Sequence, residues 1–204
     1  MSFLTGFTAG LLLITLSEIG DKSFFIAAIL AMRHPRRWVF VGAIAALFVM
    51  TILSVLIGQA VAMFPQQYVK GVAAALFIGC GLKLLYDALR MQDSKGLAHE
   101  QADACKAVEQ EEKNAVWSAK SVLVKAFALT FISEWGDRTQ VATITLAAAH
   151  PPLGVITGVM LGHAICSAIA VICGKLIVGH ISERLLVGTS GALFIVFGVA
   201  TLLQ

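Results

Sequence analysis

Long apolar runs separated by short polar connections dominate the chain, and six can be drawn: residues 3–32, 38–62, 68–89, 121–148, 153–178 and 185–203. Each reaches the roughly 20 residues that a helix needs to cross the hydrocarbon core of a bilayer. The alternation of polar and apolar positions that marks a membrane β-barrel is missing. The pattern therefore predicts an all-α, polytopic membrane protein with six transmembrane helices. The first run lacks a basic stretch before it and leads into Glu18 with no small-residue cleavage pattern, so it is expected to remain as a helix.

Two polar interruptions inside this pattern are alike. Glu18-Ile19-Gly20-Asp21-Lys22-Ser23 in the first run returns as Glu134-Trp135-Gly136-Asp137-Arg138-Thr139 in the fourth, 116 residues later. The same offset relates His34-Pro35 to His150-Pro151, Gly42 to Gly158, and Gly58 to Gly174. One residue of slippage then aligns Ala75-Leu76-Phe77-Ile78 with Ala192-Leu193-Phe194-Ile195, and Gly81 with Gly198. The chain reads as a duplicated three-helix unit: a first repeat over 1–90, a charged cytoplasmic linker over 91–120, and a second repeat over 121–204. Three helices per unit bring the second copy in from the opposite face, the inverted repeat of many secondary transporters. The linker holds Asp93, Glu100, Asp103, Glu109, Glu111 and Glu112 with four lysines, and reads as solvated.

Composition agrees: 58% of the 204 residues are apolar and only 13% charged, and the mean hydropathy is +0.87. Charge placement adds orientation. Arg33, Arg36 and Arg37 follow the first run, seven basic residues from Lys83 to Lys125 surround the loop after the third, and Lys175 and Arg184 flank the connection after the fifth. Only Lys70 falls on the other side, so both termini are expected on the outer, periplasmic face of a bacterial inner membrane. The net charge of +3 thus has a membrane explanation, and no nucleic-acid partner is expected. Cys80, Cys105, Cys166 and Cys173 form no C-x-x-C pair and read as small core residues.

The chemistry lies in the two motifs. An ionised side chain at midspan costs roughly 3 kcal/mol, so six of them cannot face lipid unpaired. On a continuous helix Glu18, Asp21 and Lys22 share one face within about 60°, as do Glu134, Asp137 and Arg138. Gly20 and Gly136 permit a kink or a close crossing. Brought together, four carboxylates, one lysine and one arginine carry a formal charge of minus two, which one divalent cation or two protons cancel. Oxygen ligands from Glu18, Asp21, Glu134 and Asp137, with Ser23, Thr139 and Gln140 nearby, suit hard cations such as Mn2+, Ca2+ or Mg2+. A purely packing role, Glu18 with Lys22 and Glu134 with Arg138, is the plain alternative. His163 in the fifth run is an intramembrane ionisable group, read either as a hydrogen-bonded core histidine or as a proton relay or nitrogen ligand; its repeat counterpart is Leu47.

Two E-x-G-D-[KR]-[ST] motifs, each in the opening helix of a three-helix half, resemble those of the bacterial manganese exporter MneA family, itself similar to the eukaryotic Golgi manganese and calcium transporters of the transmembrane protein 165 family. The resemblance covers the chain apart from the linker. It implies a cation antiporter rather than an enzyme, with no resident cofactor: Mn2+, or Ca2+ in some members, leaves the cytoplasm in exchange for H+ or Na+. It also implies that Glu18, Asp21, Glu134 and Asp137 form the metal site, with Lys22, Ser23, Arg138 and Thr139 as the remaining motif positions. Partners beyond membrane lipid and the transported ions are not implied, nor an oligomeric state. Three alternatives remain: export of another small solute, a passive channel, and an intramembrane aspartyl protease built on Asp21 and Asp137. The cations beside both acids disfavour the protease, because they oppose the raised pKa that a shared-proton dyad needs.

Overall fold

A computed structural model describes residues 2–90, 96–112, 118–177 and 183–203. Among these residues the chain is all-helical, with no strand: α1 Phe3–Glu18, α2 Lys22–Arg33, α3 Arg36–Val61, α4 Gln66–Arg90, α5 Gly96–Glu112, α6 Ala119–Glu134, α7 Arg138–Ala149, α8 Pro152–Ile177 and α9 Glu183–Leu202. Helices α3, α4 and α8 are long and apolar enough to cross a membrane, and α1 with α2 makes a fourth span if the bent pair is taken as one. The apolar part of α9, Val187–Leu202, is shorter.

The first and fourth apolar runs are not continuous helices. Each breaks inside its motif, and α2 leaves α1 at an angle of 64°. The cause is local. Ile19 (φ −66°, ψ 117°) leaves the helical region, and Gly20 takes φ +84°, a left-handed value that side chains disfavour. Trp135 (φ −68°, ψ 113°) and Gly136 (φ +79°) repeat these angles at the second motif. Asp21 and Asp137 then stand at the N-caps of α2 and α7. The shared helical face expected for each motif therefore does not exist, since the glycine turns the chain between the Glu and the Asp.

The carbonyls freed at the end of α1 find partners on other helices: Cys166 Sγ reaches Thr15 O at 3.3 Å, and Ser190 Oγ donates to Leu16 O at 2.9 Å. Backbones come into close contact at two seams that match. A Cβ on Gly42 in α3 would stand 2.5 Å from the carbonyl oxygen of Leu123 in α6, and a Cβ on Gly158 in α8 would overlap that of Phe7 in α1. Leu123 and Phe7 are themselves 116 positions apart, so the two seams have one register. Elsewhere α4 runs along α9, α2 packs on α8, and α7 packs on α3.

Helix α5, in the stretch read as a solvated linker, is docked. Ala104 and Val108 lie fully buried in one core with Phe24, Phe25, Ile29, Val122 and Ala126. As a result α2 buries every residue from Ser23 to Ala31, whereas α7 mixes buried with half-buried residues. Surface ties hold α5 at its polar edge: Lys125 Nζ lies 3.0 Å from Glu111 Oε2 and Arg33 Nη2 lies 4.0 Å from Glu109 Oε1. Asp93, Lys95 and Lys113 of the expected linker lie outside the described residues.

Candidate functional site

The two helix breaks bring parts of both motifs together. One carboxylate oxygen from each of Glu18, Asp21 and Glu134 lies within 4.8 Å of the others, and all three residues are buried. The backbone makes this possible: α1 and α6 end at the two glutamates, so each side chain stands at a helix C-terminus, and each aspartate opens the next helix. Neither aspartate caps its own helix with its side chain. Both acids are thus free of the usual N-cap duty and aim elsewhere.

Hydroxyls hold one side of each glutamate. Ser23 Oγ donates to Glu18 Oε2 at 3.0 Å and Thr139 Oγ1 to Glu134 Oε2 at 3.1 Å, equivalent bonds in the two halves. The other oxygen of each, Oε1, is buried without a hydrogen-bond partner. Two bare carboxylate oxygens in a buried cluster are costly unless a proton or a cation meets them.

The motif cations do not pair within their own motifs. Arg138 Nη2 reaches across to Asp21 Oδ1 at 2.7 Å, and no ion pair links Lys22 to Asp137 in return. This crossing replaces the Glu134–Arg138 and Glu18–Lys22 pairs expected of a packing role. Asp137 is less buried than Asp21 and stays outside the three-carboxylate cluster, tied to it through Thr139 Oγ1 at 3.3 Å. Gln140 Oε1 accepts the Gly136 backbone N–H at 2.7 Å, bracing the break.

Against Glu134 lies a cavity of about 10 Å³, room for one water, lined by Thr51, Ser54, Thr139, Gln140, Thr143 and His163 among others. His163 Nδ1 sits 3.6 Å from Glu18 Oε1 and has no hydrogen bond. Sequence reading did not single out Thr51, Ser54 or Thr143. The available signal was hydroxyl residues inside apolar runs, with Thr143 one turn beyond Thr139 on the same face of α7. Thr51 and Thr143 donate to carbonyls four residues back, Leu47 O and Thr139 O, each at 2.8 Å, leaving their oxygen lone pairs available.

The family profile described as divalent cation/proton antiporter GDT1 matches residues 6–92 and 122–204. The chain belongs to this GDT1 family. Among its relatives, a GDT1-like protein, sll0615, from Synechocystis is 52% identical over 200 residues, covering 97% of each chain. GDT1-like protein 5 of Arabidopsis thaliana is 40% identical over 221 residues, covering 99% of this chain and 97% of its own. No solved structure matches. The GDT1 profile and the doubled E-x-G-D motif agree, and both motifs fall inside the matched residues.

As a GDT1 member the chain is a multi-pass membrane transporter and not an enzyme, and the divalent ion is its substrate. The aspartyl protease alternative falls with that assignment. Three carboxylates against one guanidinium leave the buried cluster with a formal charge of minus two when all are ionised. A divalent cation or two protons cancels it.

Proposed function

We propose that the chain exports Mn2+, with Ca2+ as a second substrate, from the cytoplasm in exchange for protons, by alternating access at a site built from Glu18, Asp21, Glu134 and Asp137. The observation that carries this reading is the burial of acids from both motifs within 4.8 Å of one another, with the Oε1 atoms of Glu18 and Glu134 bare. Exchange follows from the charge. The cluster is neutral when it holds one metal ion or two protons, and ionised and empty it is expensive to carry through a low-dielectric barrier, which discourages slippage without cargo.

Six spans in two inverted three-helix repeats, residues 1–90 and 121–204 around a cytoplasmic linker, suit this mechanism, with both termini outside. Three features support the arrangement: the matched backbone angles at the two motifs, the paired Ser23 and Thr139 bonds, and the common register of the Gly42 and Gly158 seams. Broken helices at a shared site are a recurrent device in such carriers, because their ends expose backbone dipoles to the ion. Lys22 and Arg138 set the charge balance, while Ser23 and Thr139 orient the glutamates.

The test is Mn2+ flux in sealed vesicles under an imposed pH gradient, with wild type, Glu18→Gln and Asp137→Asn. Wild type is expected to move Mn2+ against its gradient and to acidify the opposite compartment, and both variants to lose at least tenfold in rate. Full activity in both variants would defeat the proposed site, and flux indifferent to every counter-ion gradient would defeat exchange.

A further inference from the structure

The three clustered acids and their hydroxyls form an all-oxygen set, yet one nitrogen is built into its edge. His163 is only 4% exposed, its Nδ1 has no hydrogen-bond partner, and that atom faces Glu18 Oε1, which also has none, at 3.6 Å. A hydrogen bond between the two would be shorter. Two groups that could satisfy each other stand slightly too far apart to do so. The same imidazole lines the small cavity against Glu134.

We propose that His163 is a nitrogen ligand of the transported ion and tilts the site toward Mn2+ over Ca2+; this rests on the carboxylate reading above. Neighbouring donors on one six-coordinate ion, at bond lengths of about 2.2–2.4 Å, stand about 3.1–3.4 Å apart. The 3.6 Å between Nδ1 and Oε1 is a few tenths of an ångström more than a shared ion requires. An ion between them would give both atoms the partner they lack.

The donor's chemistry sets the direction of the preference. Ca2+ and Mg2+ take oxygen almost exclusively, whereas first-row transition ions accept imidazole readily, Mn2+ being the weakest binder of that series. One nitrogen therefore gives a bias rather than an absolute choice, of about tenfold in relative affinity. The repeat adds an independent point. Leu47, the counterpart of His163, lines the same cavity, so the nitrogen is supplied from one side only. A residue needed only to fill the fold could have been leucine in both halves.

The experiment is electron spin-echo modulation of Mn2+ bound to the purified full chain in lipid nanodiscs, with Ca2+ competition measured on the same samples. Wild type is expected to show coupling to a directly bound 14N nucleus. His163→Gln is expected to lose it and to shift the Mn2+ to Ca2+ affinity ratio about tenfold toward Ca2+. His163→Leu, which copies the other half, serves if the glutamine variant fails to fold. Bound Mn2+ that still needs Glu18 but shows no nitrogen coupling in wild type would overturn this inference alone, as would equal losses of Mn2+ and Ca2+ affinity in both variants. Mn2+ binding undiminished by Glu18→Gln would overturn the carboxylate reading, and this inference with it.

Discussion

Gly136 separates backbone strain from packing in a way few positions allow. Its φ is +79°, and a Cβ there would meet nothing within 4 Å. Gly136→Ala is therefore expected to cost about 1–2 kcal/mol by conformation alone, seen as a lower thermal midpoint of the purified protein. The bond from Arg138 to Asp21 is a different case, because its loss leaves a charge behind. Asp21→Asn should destabilise by about 2–3 kcal/mol, and the Asp21→Asn, Arg138→Gln double variant by less than the sum of the singles in denaturant unfolding. The three clustered acids, Glu18, Asp21 and Glu134, were legible as residues, since acids in apolar runs are conspicuous. Their pairing was not. Sequence spacing suggests partners three or four apart on a helix, and that rule lapses once the helix breaks between Glu18 and Lys22. The order glycine then aspartate, a helix stop followed by a helix start, was the overlooked signal.

Among elements, the second, third, fifth and sixth apolar runs foretold α3, α4, α8 and α9 within a few residues, because burial length is written directly in composition, whereas the first and fourth each hold two helices. Helix α5 escaped because its charges outnumber its buried positions. Ala104 and Val108 are four apart and small, a faint stripe beside Asp103, Lys106, Glu109 and Glu111. Val108→Asp is expected to cost about 3 kcal/mol or more by placing an unpaired carboxylate against Phe24 and Ile29, and to expose the α5 backbone to amide exchange. Charge reversal of Glu109, an exposed partner of Arg33, should change stability by less than about 1 kcal/mol. The seams between α3 and α6 and between α8 and α1 give a matched pair. Gly42→Val and Gly158→Val should each force backbones apart and lower the folded yield, with similar severity because the register is the same.

For the whole molecule, the length of the apolar runs carried the all-helical, multi-pass class, while charge asymmetry and the duplicated motif supply the proposed orientation and repeat. Orientation is the prediction that belongs here. A single cysteine introduced at Ser2, in a chain whose own four cysteines are replaced, should react with an impermeant maleimide added outside intact cells, and one placed at Glu109 should not. Reaction at Glu109 alone would invert the proposed topology. What composition could not supply is how unequal the two halves are in this conformation: α2 is enclosed by α5, α7 is less completely buried, and only one of the two motif cations crosses to the other motif.

The crossing bond has a genetic consequence. Asp21 and Arg138 lie 117 positions apart, on opposite sides of the central stretch that the family profile leaves unmatched. A chimaera joining the first half of this chain to the second half of a relative inherits one end of the bond from each parent. It should assemble a working site only when the donor carries a cation at the position of Arg138, so compatibility between parents can be read at a single codon before any chimaera is made.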